Sequence, residues 1–206
     1  MKWKFICGAL AVFVLLWVCL GTVPGGSTVA STPFIALSSV SVPEIPAKSA
    51  ELVNAAASAD RGQTACDVLR AASAVAKPGV LPFVVSAICR ADSDIAGSVV
   101  ATASELRPDD TPTFCEAALW AAPSQVQEIV FEACKASPSS CASVAVIAHT
   151  QLPAADNSIF AGIVEALPDL TQYLYTARIQ VGTNNFEALI DRTVDLANAD
   201  SSATAK

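Results

Sequence analysis

The residues of this chain best equipped for chemistry are its cysteines and its single histidine. Seven cysteines occur, and five of them, Cys66, Cys89, Cys115, Cys134 and Cys141, stand beyond residue 30. Thiols in an oxidising compartment are read first as cross-links. Cys66 and Cys89 are equidistant from the Lys77–Pro78 step, so a helical hairpin turning there sets them level. Cys115 and Cys134 straddle Pro123 in nearly the same way, while Cys134 also lies opposite Cys141 across Pro138. The spacing therefore predicts Cys66–Cys89 and Cys115–Cys134, with Cys134–Cys141 as the open alternative. Each closed loop contributes roughly 3 kcal/mol by restricting the unfolded chain.

Other chemistries find less support. Cys115, Cys134, Cys141 and His149 are a permissible Cys₃His set for zinc, but their spacing matches none of the paired-ligand patterns, so no metal is assigned. The chain has no Cys-x-x-Cys, no Gly-x-Ser-x-Gly and no glycine-rich phosphate loop. It is read as having no catalytic or cofactor-binding residues and no cofactor. Carboxylates are dispersed singly, and a hydrolase using two of them is the enzyme reading that sequence spacing leaves open.

These residues must be positioned by an array with a strict beat. Pro108, Pro123, Pro138, Pro153 and Pro168 are fifteen residues apart, and the same beat extends back through Ser93 to Pro78 and forward to Thr183. Proline suits the first turn of a helix and disfavours helix in the residue before it. The beat thus predicts helices of about ten to twelve residues separated by short turns. Six positions after each beat stand Leu69, Val84, Val99, Phe114, Ile129, Val144, Ile159, Leu174 and Leu189. With a second column four residues on (Ser73, Ile88, Ala103, Ala118, Ala133, Ala148 and Ile163), they mark one face of a 3.6-residue helix. Acids fall early in the units and bases late, as the helix dipole favours. The fold class predicted is all-α: antiparallel helical hairpins stacked as a short solenoid, with a compact helical bundle as the alternative.

In this phased pattern residues 63–198 resemble the broad class of α-solenoids, and more loosely the alanine-rich, proline-punctuated helical arrays of secreted bacterial proteins. The Trp-Leu-Gly-Tyr signature of tetratricopeptide repeats and the Thr-Pro-Leu-His of ankyrin repeats are absent. The resemblance implies a role in binding or scaffolding.

The flanks set the compartment. Lys2 and Lys4 precede an uncharged apolar run from Phe5 to Leu20 and a Gly/Pro-rich breaker, the layout of a secretory signal. Residues 1–30 are read as a signal peptide or N-terminal membrane anchor, so the body is exported, to periplasm or medium, free or tethered by residues 5–23. Residues 31–46, rich in Ser and Pro, read as a linker, 47–198 as the repeat domain, with Asn184 and Glu187 opening its last helix, and 199–206 as a disordered tail. Removing residues 1–30 takes away two lysines and no acid, leaving ten basic against nineteen acidic residues, a net −9. That excludes nucleic acid as a partner and confines membrane contact to the N-terminal segment.

One surface position stands out. Twelve residues after each beat the sequence runs Arg90, Glu105, Trp120, Lys135, Thr150, Glu165, Gln180, a polar row interrupted by one tryptophan. A contact patch is predicted at Trp120 with Phe131, and with Lys135 and Glu116 at its edge. The competing reading folds Trp120 over the Cys115–Cys134 region as a lid. The function expected is non-enzymatic binding or scaffolding of an envelope or extracellular protein, with a carboxylate hydrolase or a membrane-tethered spacer as alternatives.

Overall fold

The computed structural model describes residues 31–182 and 185–204, and every regular element in them is helical. The N-terminal signal or anchor and Asn184 of the expected capping box lie outside the described residues.

One unit explains the rest. Ser137, held out of the helical region by the proline that follows, adopts φ −138° and ψ 79°. Its N–H donates to the Ala133 carbonyl and its own carbonyl accepts from the Ser140 N–H, both at 3.0 Å. A single residue therefore closes one helix and opens the next turn, leaving neither of its backbone groups unpaired. Pro138–Ser140 then form one 3₁₀ turn, and Cys141–Gln151 form an eleven-residue α-helix. Joint, 3₁₀ turn and helix together make the fifteen. Arg107, Ala122, Leu152 and Leu167 are joints of the same kind, with both backbone bonds between 2.8 and 3.1 Å. Where the beat has Ser93 instead of proline, the Asp92 carboxylate supplies the turn by accepting from the Asp94 N–H at 3.2 Å.

The prolines thus open a 3₁₀ turn, and the α-helix follows three residues later. This places Pro82 and Pro112 within the first turns of their helices, in step with every other unit and not delayed by them. The α-helices are α1 (Ser31–Ser38), α2 (Ile45–Ala55), α3 (Arg61–Val75), α4 (Leu81–Ala91), α5 (Ala96–Leu106), α6 (Thr111–Ala121), α7 (Val126–Ala136), α8 (Cys141–Gln151), α9 (Asp156–Ala166), α10 (Thr171–Val181) and α11 (Phe186–Thr204).

From α1 to α7, each helix packs chiefly against the helix two further along, and less against its immediate successor. Odd-numbered and even-numbered helices therefore form two rows, an all-α solenoid-like stack. All nine residues of the first apolar column are buried. Alanine in the second column keeps the helices close while contributing little area each. The approach is close between α7 and α9, where a Cβ on Gly162 would stand 2.6 Å from the Gln127 carbonyl oxygen.

Two expected boundaries are corrected. Residues 31–46 are no linker: α1 and a 3₁₀ turn at Val42–Glu44 occupy them, and Leu37 and Ile45 are 1% and 2% exposed in the core. Pro33 stands early in α1, where a missing N–H breaks no bond, so the Ser/Pro composition concealed a helix. Residues 199–204 of the expected tail are also helical, because α11 continues through Thr204; residues 205–206 lie outside the described residues.

The beat ends at Gly182. This joint residue has φ 79° and ψ −175°, a conformation open essentially to glycine alone. Across this joint α10 packs mainly on α11, and it is α11 that reaches the flank of α8. The Tyr173 hydroxyl donates to the Asp200 carboxylate at 2.5 Å, tying α10 to α11.

Candidate functional site

The residues of the predicted contact patch fall on two neighbouring helices. Glu116 and Trp120 are four apart on α6, hence on one face, and Phe131 and Lys135 have the same relation on α7. The Lys135 ammonium lies 4.9 Å from the centre of the Phe131 ring, a cation–π contact, and 3.6 Å from Glu132. Phe131 is half-buried, and among the described residues no ring contact joins it to Trp120. Trp120 is 72% exposed. At that exposure its ring is not folded down as a lid. Every other member of its row, from Arg90 to Gln180, is exposed as well, so Trp120 is an aromatic side chain held into solvent on an otherwise polar edge.

The thiols are arranged differently from the hairpin expectation. All five are free. Cys66 on α3 accepts a hydrogen bond from the Thr102 hydroxyl of α5 at 3.1 Å, while Cys89 is buried on α4. The Cys66–Cys89 bond is therefore not formed, because packing between helices two apart turns Cys66 toward α5. Cys115, Cys134 and Cys141 do gather, from α6, α7 and α8. Cys134 shares a hydrogen bond with Cys141, which, ahead of burial, holds the Cys134 thiol far above its ordinary range. Cys115 is pushed up to about 12, first by burial and then by the proximity of Cys141 and Glu116. Cys89 is likewise pushed up to about 12 by burial. Neutral, buried thiols of this kind are poor nucleophiles. The predicted Cys115–Cys134 bond is not formed either; the closest association is the alternative, Cys134 with Cys141.

His149 does not join the thiols. Its Nδ1 lies 2.7 Å from the Asp156 carboxylate, and its ring stacks on Phe186 with 4.3 Å between centroids. Phe186 in turn stacks on Phe160 at 5.1 Å. The histidine thus fastens the start of α11 to the α8–α9 joint. Among the described residues, no group of three or more His, Cys, Asp or Glu is placed to hold a metal ion. No helix among them is long and apolar enough to cross a membrane.

The C-terminal end holds a feature that the sequence reading missed. A cavity of about 320 Å³ lies between α8, α10 and α11, with Cys141, Ile163, Leu174 and Ile190 in its walls and Ser139 and Asn198 among its polar lining. The available signal was Gly182, a glycine at a joint position with no proline after it. Comparison of the chain with protein-family models, curated proteins and solved structures returned no match.

Proposed function

We propose that this is an exported, non-enzymatic helical-repeat protein of the α-solenoid kind, which binds or scaffolds a protein of the envelope or extracellular space. The observation that carries the reading is Trp120, 72% exposed on a polar row. Burial of a tryptophan against a partner removes a large apolar area from water and orders only two side-chain torsions. A stack of short helices, each registered by its neighbours, presents such a residue on a fixed surface. Export is supported by Lys2, Lys4 and the apolar run that follows them. The net negative charge of the body supports a protein partner over nucleic acid.

A photo-crosslinking amino acid placed at Trp120, and separately at Glu165 of the same polar row, tests the proposal in native envelope. One discrete adduct from position 120 and none from 165 supports it. Equal, diffuse labelling from both positions contradicts it.

A further inference from the structure

We propose that the cavity between α8, α10 and α11 binds the aliphatic chain of a single uncharged amphiphile, such as an acyl ester, taken up as a monomer. The reasoning begins with the packing rule. Helices two apart pack side by side through α9, but α10 leaves the rows and α11 approaches α8 instead. The exchange opens a cavity of about 320 Å³. At roughly 30 Å³ for a group the size of a water molecule, the space admits about ten chain carbons.

The lining defines the ligand. Cys141, Ala145, Ile163, Leu174 and Ile190 are buried wall residues and are apolar or nearly so. No Lys, Arg, His, Asp or Glu lines the cavity, so nothing there neutralises a charged head group, and a charge would be desolvated without compensation. Ser139 and Asn198 are exposed lining residues with hydrogen-bonding side chains, suited to a hydroxyl or ester. The Thr193 hydroxyl is already committed to the Leu189 carbonyl at 2.8 Å. A largely apolar concavity with a few polar groups at its edge is the usual form of a small-molecule site. The ligand would lie against Cys141, a residue 5% exposed.

Monodecanoylglycerol, below its aggregation concentration, is the probe. Calorimetric titration of the reduced protein is expected to give saturable one-to-one binding, and the ligand is expected to slow alkylation of Cys141 at least fivefold. Val194→Trp, at a 41%-exposed lining position, should weaken binding at least tenfold with the helical circular dichroism retained. Ala142→Leu, at a half-buried lining position, serves as a second block. Trp120→Ala should leave this binding intact, so the test stands or falls apart from the protein-binding reading. Three results would overturn the proposal: no saturable binding, binding that both blocking variants leave unchanged, or association with neutral phosphatidylcholine vesicles without binding of the monomer.

Discussion

Gly162 on α9 faces Gln127 on α7 so closely that the α7 backbone leaves no room for a methyl group: a Cβ would come within 2.6 Å of the Gln127 carbonyl oxygen and 3.1 Å of the Phe131 nitrogen. Gly97 makes an instructive contrast, since the three atoms nearest its Cβ would all belong to the Glu128 side chain, the first also at 2.6 Å. A backbone cannot yield as a flexible side chain can. Gly162→Ala should therefore cost about 1–3 kcal/mol as overpacking, net of any gain in helix propensity. Gly97→Ala should fall within about 1 kcal/mol of neutral, because Glu128 can swing away and alanine favours helix. Urea unfolding of both variants checks the ordering, and equal losses would count against the close α7–α9 approach.

The second prediction concerns the end of the beat. Gly182→Ala forces a side chain into a conformation that costs about 1–3 kcal/mol for residues other than glycine. The loss should be local: hydrogen-exchange protection should fall in α10 and α11 and persist in α5–α7. A uniform fall across the stack would show that Gly182 acts on the whole array and not on its end.

Much of this architecture was legible in advance, for a physical reason. A proline every fifteen residues and a buried column in phase with it, from Leu69 to Leu189, are both local signals, and each repetition reinforces the same frame. What was not legible depended on how helices meet. The sequence shows that Cys66 and Cys89 are level across a turn; it does not show that the dominant contact runs to the helix two further on, which sends Cys66 to Thr102. The joint is similarly hidden, because proline is equally at home opening an α-helix or a 3₁₀ turn. Leu37 was lost to composition, since Ser and Pro around it mimic a linker. Of the contact patch, the exposure of Trp120 followed from its row, while the separation of Phe131, engaged by Lys135, did not.

The third prediction follows from the buried thiols of reduced protein. Cys89 and Cys115 are raised from the ordinary 9.0 to about 12. Above pH 9 the unfolded chain gives up these protons while the folded chain keeps them, so the unfolded state gains. The contribution is complete below about pH 9 and is lost as pH rises toward about 12, at up to roughly 1.4 kcal/mol per unit and thiol. Unfolding midpoints measured from pH 8 to 11 should fall less steeply for Cys89→Ala/Cys115→Ala than for wild type. Parallel slopes would mean that these thiols ionise as freely folded as unfolded.

A fourth prediction replaces the hairpin pairing. If the protein meets an oxidant, Cys134 and Cys141, already sharing a hydrogen bond, should be the residues joined. Cys66, held by Thr102, should remain reducible-probe reactive. Non-reducing peptide mapping decides between them, and a Cys66–Cys89 peptide would contradict the observed packing of α3 on α5.

The reading of the protein as a binding module rests on Trp120, and one variant measured in two ways tests it most directly. Once its partner is in hand, Trp120→Ala should weaken capture by about 2 kcal/mol or more, the usual threshold for a dominant contact residue. The thermal unfolding curve should stay within about half a kcal/mol of wild type, because a side chain 72% exposed contributes little packing. Unchanged affinity together with lowered stability would contradict the account, and would make Trp120 part of the scaffold and not its contact surface.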